Sequence, residues 1–440
     1  MGSSRKIAVW MVIAFALMGA PPAIAGASAA SIAIDAARLQ QSLEDLSVFG
    51  RPAGGSFADG VSRFAYSDAD IAGRTFVLKL IRSASVQPRI DTAGNIRVRR
   101  EGTVPGLKAI LIGSHIDSVP GGGNFDGALG SMAAVEILRT LQERGVRLRH
   151  PVEVALWSNE EGGTLGAGLA TGIYGRDALE LTLNGIKRVD GLKRIGGYPE
   201  RLAEARIAPG SLHAYLELHI EQSGLLEKAS VPIGIVDGIV AIDEYEVEIS
   251  GFANHAGTTP MPDRRNALLA AAKLIEAVQE EVTREPGRQV GTVGHLEVFP
   301  NARNVVPGRV KATLELRDLD AAKIAAIGQR IITRAQAIAT ETRTEVTLKK
   351  VETDPPALAA PRIQHEIEAA AAGLGLKTMH LTSGAGHDAQ ILAKVTDMGM
   401  IFVPSLRGIS HSPKEATPWP DCANGANVLL QTLLILDRDK

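Results

Sequence analysis

Residues 108–130, KAILIGSHIDSVPGGGNFDGALG, decide how the rest of the chain reads. KAILIGS (108–114) is an apolar run of strand length, PGGGNFDG (120–127) is a turn, and a helical pattern begins behind it. Two later runs, VEVALWS (152–158) and AYLELHI (214–220), have the same form and alternate with helical patterns between about Ser31 and Gln222. Such alternation predicts an α/β fold, with helices packed on a mostly parallel sheet. Each of the three runs has charged or imidazole residues at or just past its end, where open α/β sheets hold their ligands.

Outward from this core the periodicity changes. EYEVEISG (244–251) is followed by a helix from Arg264 to about Glu281, by VGTVGHLEV (290–298) and RVKATLELRD (309–318), by a helix from about Ala321 to Thr340, and by EVTLKKV (345–351). This order predicts an inserted α+β (βαββαβ) module over residues 238–352. After DPPALAAP (354–361) the α/β pattern returns, with a helix near His365–Ala372 and strands at KTMHL and MIFV. The expectation is one discontinuous catalytic domain, residues 30–237 and 353–440, with the module as a second, movable domain.

A chain of 440 residues, 45% hydrophobic and 22% charged, is long enough for a large core. Its 47 lysines and arginines nearly balance 49 aspartates and glutamates, so no basic patch points to nucleic acid. Arg5 and Lys6 precede an apolar run, Ile7–Met18, followed by Pro21 and Pro22 and small-residue sites at Ala23-Ile24-Ala25 and Ala27-Ser28-Ala29. That pattern predicts a signal peptide over residues 1–29, cleaved after Ala25 or Ala29, and hence an exported, periplasmic protein free of the membrane. The single cysteine, Cys422, excludes an intramolecular disulfide and lies at the start of an amphipathic terminal helix. GxSxG is absent, which argues against a serine hydrolase of that type.

The ten histidines can be weighed one by one. His115 closes the first strand two residues before Asp117, whose carboxylate is placed to accept the second imidazole proton. Asp126 stands at the entrance to the following helix. The second strand ends in WSNEEGGTLG, and its adjacent Glu160 and Glu161 repel each other unless a cation or a proton compensates. One of them can bind metal while the other takes a proton from metal-bound water. His219 tips the third strand in LELHIEQSG, and His411 lies in the loop SLRGISHSPKEA. Each alone has a plainer reading, a helix cap or a solvated turn. Together His115, Asp126, Glu161, His219 and His411 form the mixed nitrogen and oxygen set expected of two hydrolytic ions about 3.5 to 4 Å apart.

The ordered strings GSHIDSVPGGGNFDG, NEEGG, LELHIEQ, ANHAGTTPMPDRRNAL, NARNVVPG, SGAGHDA and GISHSPKE resemble the hydantoinase/carbamoylase branch of the dinuclear-zinc aminoacylase and carboxypeptidase family. The likeness covers essentially the whole chain beyond the leader. It implies a bridging role for Asp126, His115 and His219 on one ion, Glu161 and His411 on the other, and Glu160 as general base beside Asp117. A histidine at position 219 and the HIEQ string point to the carbamoyl-cleaving branch. The resemblance makes the module a lid and homodimerisation domain in which His255 stabilises the oxyanion and Asn304 and Arg317 bind the substrate carboxylate. Gln222 would contact the ureido group, and His387 and Asp388 would line the pocket.

The expected reaction is therefore metal-dependent hydrolysis of an N-carbamoyl-L-amino acid or a related ureido acid such as allantoate or ureidoglycolate. Zinc is the expected metal, with manganese, cobalt and nickel as alternatives. An aminoacylase or exopeptidase with the same metal apparatus is the nearest rival, and ammonia release separates the two. A non-catalytic periplasmic binding protein is a further alternative, against which Glu160 and the full ligand set speak.

Overall fold

The computed structural model of the chain describes residues 1–2 and 32–439, so the signal-peptide reading falls almost wholly outside the described residues. Nine strands form the larger sheet. Ala109–His115 runs parallel to Val152–Trp157 on one side and to Leu212–Ile220 on the other, and Leu212–Ile220 runs parallel in turn to Met398–Val403. The sheet is thus parallel through its middle. It becomes antiparallel beyond, where Ile96–Arg100 pairs with Val152–Trp157 and Ile233–Ile239 with Met398–Val403.

The central strands are buried on both faces, as their unbroken apolar runs require. All seven residues of Ala109–His115 are buried. Helix Ala128–Glu143 packs on this sheet and buries most of its circumference, because its small residues let it approach closely. The terminal helix Trp419–Leu436 packs against the same helix and against Met398–Val403, with Cys422 buried in it. Burial pushes the Cys422 thiol well up, which leaves it a small apolar filler.

The segment from Ala241 to Asp354 forms a separate four-stranded antiparallel sheet, in the order Val290–Phe299, Arg309–Asp318, Ala241–Ser250, Glu345–Asp354. Helices Ala267–Thr283 and Ala321–Thr342 cover one face, and between helices and sheet lies a second apolar core containing Tyr245, Val247, Leu274, Leu314 and Ile331. The first helix starts at Ala267 and not at Arg264. Met261–Asp263 takes a tight 3₁₀ turn at Pro262, and Asn266 then caps the helix by accepting from the amides of Leu268 and Leu269. Ile233–Ile239 lies wholly in the large sheet, so the chain crosses to the small one at Val240.

Candidate metal centre

The carboxyl ends of the parallel strands meet at one cavity of about 290 Å³. His115 is the last residue of its strand and His219 the second to last of its own, while Glu160 and Glu161 follow Trp157 in a short bend. His115, Asp126, Glu160, Glu161, His219, Gln222, Arg317, His387 and His411 all line this cavity. A hollow of about 330 Å³ lies elsewhere, on the face of the small sheet, and its glutamate, lysine and threonine lining contains a single imidazole, His295.

Among the described residues three sets of ligand-type atoms lie close enough to share an ion: Glu217, His219 and His387 form one, and the other two both include Asp126. One joins Asp126 to His115 and His219, all buried; the other joins it to Glu161 and to His411, which is about half exposed. The Nε2 atoms of His219 and His411 lie 3.1 and 3.2 Å from opposite oxygens of Asp126. The ring orientations have a simple cause. Nδ1 of His115 donates to the carbonyl of Asp117 at 3.0 Å, and Nδ1 of His219 donates to the carbonyl of Ile220 at 2.9 Å. A carbonyl can only accept, so Nδ1 carries the proton of each ring when it is neutral, and Nε2 is the atom turned to the cavity.

The carboxylate of Asp117 is engaged differently from the sequence expectation. Its oxygens accept from the amides of Glu160 and Glu161 at 3.3 and 3.2 Å, and the nearer one is 3.8 Å from the His115 ring. The backbone carbonyl is closer to Nδ1 because the chain turns sharply after the strand. Asp117 therefore shapes the bend that presents the two glutamates.

His255 and Asn304 do not line the cavity. Both are exposed on a ribbon of the module in which Asn254–His255 pairs with Val305–Val306. His255 Nδ1 accepts from the amides of Gly257 and Thr258, which leaves Nε2–H as its outward donor. Arg317 does reach the cavity. It is held by Glu315 at 2.6 and 3.0 Å and by the Gly384 carbonyl at 2.6 Å. His387 stands edge-on to His219, with centroids 4.4 Å apart, and its Nε2 is 2.8 Å from Ser383 Oγ.

Several buried groups around the centre have partners that the sequence strings do not reveal. Glu217 lies beneath His219 and accepts from Ser114 Oγ, Tyr215 Oη and the Ala389 amide. A glutamate flanked by leucines inside AYLELHI is the one local hint of it. Asp388, which the resemblance placed on the pocket wall, does not line the cavity: it is fully buried, and neither of its oxygens has a hydrogen-bond partner. Glu415 is bonded to the turn that carries Asp126.

The electrostatics fit divalent cations. Burial first, then Asp126 and Asp117, push Glu161 up to about 8, and burial together with Asp388 and Glu161 pushes Glu160 well up. Crowded buried carboxylates of this kind require compensating positive charge. Protons can serve. Burial opposes charge on His219, but its bond to Asp126 prevails and raises it to about 9; the bond to Asp126 raises His411 to about 9 as well. Burial holds His115 near 4, already neutral.

A cation entering at neutral pH must expel the protons of His219 and His411. Because these groups titrate near 9, above the ordinary 6.5, the apparent metal affinity should climb as pH rises from about 7 to 9 and flatten beyond. Titrating Zn²⁺ at pH 7 in two buffers of different ionisation heat checks this. Equal heats in both buffers would mean that no proton leaves.

A largely parallel sheet with ligand-type residues at its carboxyl edge and an antiparallel insertion places the chain among metal-dependent hydrolases. The model for Peptidase family M20/M25/M40 matches residues 111–435, and the chain belongs to that family. Within it, several of the matched relatives are named amidohydrolases, hydrolases of carbon-nitrogen bonds other than peptide bonds. The chain is 40% identical to an N-carbamoyl-L-amino acid amidohydrolase of Geobacillus stearothermophilus, over 91% of this chain and 98% of that one. It is 36% identical to a ureidoglycolate hydrolase of Arabidopsis thaliana, over 93% and 88%. The crystal structure of an amidase of the hydantoinase/carbamoylase family from Burkholderia multivorans superposes with a TM-score of 0.85 at 35% identity, covering 93% of this chain and 99% of that one.

Proposed function

We propose that the chain hydrolyses the carbon-nitrogen bond of a small N-carbamoyl or ureido acid, releasing ammonia and carbon dioxide. The observation that carries this reading is the pair of ligand triads sharing Asp126, with Glu160 beside them as a buried carboxylate outside both. His115, Asp126 and His219 would hold one divalent ion, and Asp126, Glu161 and His411 the other. Zinc suits the donor set, as do manganese, cobalt and nickel. When bound, such ions supply Lewis acidity and a water of lowered pKa.

Glu160 takes the proton of the attacking water and returns it to the departing nitrogen. The carbamate left behind falls apart to carbon dioxide and ammonia. Gln222 faces the ureido group, and Arg317 with Asn304 binds the substrate carboxylate. His255 donates from Nε2 to the developing oxyanion. Since His255 and Asn304 stand on the module, the catalytic constellation is complete only when the module closes as a lid over the cavity.

Two matters of setting belong to the same reading. A homodimer forms through the module, which exposes Met261, Leu268, Leu269, Ile275, Leu296 and Phe299 and has Val290–Phe299 as an edge strand. Sedimentation of the purified chain as a monomer would remove the dimer. Export to the periplasm rests on the residue 1–29 pattern alone, and periplasmic fractionation of the full-length chain tests it.

The deciding experiment is an ammonia-release screen over N-carbamoyl amino acids, allantoate and ureidoglycolate after loading with each metal. Release of a carboxylic acid from N-acyl amino acids with no ammonia from any ureido acid would shift the function to the aminoacylase rival. On a substrate that is cleaved, Arg317→Ala should raise KM about 10- to 100-fold with a smaller change in kcat, the loss expected for a charge-assisted contact. An unchanged KM would free Arg317 of that role.

A further inference from the structure

Glu415 is only 6% exposed, and both of its oxygens are engaged. Oε1 accepts from the amides of Phe125 and Asp126 at 2.9 and 3.1 Å, and Oε2 accepts from Ser410 Oγ at 2.9 Å. One side chain thus joins the glycine turn that carries Asp126 to the loop that carries His411. The arrangement needs Gly123, because a Cβ there would stand 2.1 Å from Glu415 Oε1. Ser410 Oγ also lies 3.2 Å from Asp126 Oδ2, and Gln222 Nε2 donates to the same oxygen at 2.9 Å.

The two ligand triads differ in what holds them. His115 and His219 sit on central strands, with their rings fixed by backbone carbonyls. Glu161 and His411 sit in connections outside any helix or strand, and His411 has a left-handed backbone, φ +52°. Ordering loop ligands costs conformational entropy, which an ion must offset unless the protein has already met it.

We propose that Glu415 is a positioning residue of the metal centre, strapping the Asp126 turn to the His411 loop and thereby setting the affinity of the ion site that Asp126, His411 and Glu161 share. The proposal rests on the metal reading above. It assigns Glu415 no contact with metal or substrate. Loss of the strap weakens the second site most, since two of the three ligands of the first site are anchored on strands.

The test is Zn²⁺ binding by the dialysed protein, followed by stoichiometry and isotherm and compared among wild type, Glu415→Ala, Glu415→Gln and Ser410→Ala. Wild type is expected to take two ions. Glu415→Ala keeps the first and binds the second about 10- to 100-fold more weakly, the range for lost outer partners of metal ligands. Glu415→Gln restores the second ion, because its amide oxygen accepts both backbone N–H groups and its NH₂ donates to Ser410. A merely structural role would not single out one ion, nor be rescued in this way. If Glu415→Ala does not fold, Ser410→Ala removes the Oε2 arm together with the Ser410 contacts to Asp126 and Gln222, leaves the Oε1 arm in place, and is expected to weaken the second ion in part. Wild-type binding of the second ion by Glu415→Ala or by Ser410→Ala overturns the strap, and so do equal losses in the alanine and glutamine variants. Failure of the metal reading itself would appear in the wild type, as no uptake of a pair of ions.

Discussion

Glu160→Gln is expected to take up metal as the wild type does and to lose about 10²- to 10⁴-fold in turnover, the usual contribution of a positioned general base. Glutamine keeps the shape of the side chain and cannot accept a proton. Glu160 lies 3.6 Å from His115 Nε2, close to the ligand atoms yet in neither triad, and burial with the surrounding carboxylates raises its affinity for a proton. A base in such a place is strong when ionised, and nearby cations would keep it ionised at neutral pH. Metal content and ammonia release should be measured on the same preparation. Turnover above about a tenth of wild type in the glutamine variant would remove Glu160 from the proton transfer.

Gly127→Ala is expected to be as damaging, although it adds a single methyl group. Gly127 has φ +61°, where an L residue costs about 1–2 kcal/mol, and its Cβ would stand 2.2 Å from Nε2 and Cε1 of His115. The ring cannot retreat, because Nδ1 is held by the Asp117 carbonyl and the strand behind it is buried. Either His115 or the Asp126 turn must shift, and both belong to the first triad. The expected result is loss of the tightly held ion, a fall in activity of at least about 100-fold, and a lower Tm in a scan without added metal. Full metal content and near wild-type rate would show that the turn gives way without disturbing His115.

The cavity residues were legible where chemistry and strand ends coincide. His115, Glu160, Glu161 and His219 are titratable groups at abrupt ends of apolar runs, Asp126 opens a helix and His411 lies in a loop, and the structure brings all six to one cavity. The small sheet was legible from its period: Glu246 and Glu248 alternate with buried Val247 and Ile249. What stayed hidden depends on partners far along the chain. Glu415 takes its meaning from amides almost 300 residues away, and Glu217 from a serine on the neighbouring strand. The true acceptor of His115 could not be read from spacing, because the carbonyl and the carboxylate of Asp117 are both within reach of a ring two residues back. His255 and Asn304 bear on the cavity only through the placement of a separate sheet, which no local pattern encodes.

The position of Met398–Val403 between Leu212–Ile220 and Ile233–Ile239 has a consequence for biosynthesis. During translation the two earlier strands are made long before the one that lies between them, and until it arrives each presents an open row of amides and carbonyls. A nascent or prematurely terminated chain therefore carries adhesive edges beside an unfinished core. Polypeptides ending before residue 398 should aggregate or be degraded, even though they already contain four of the five ligand side chains.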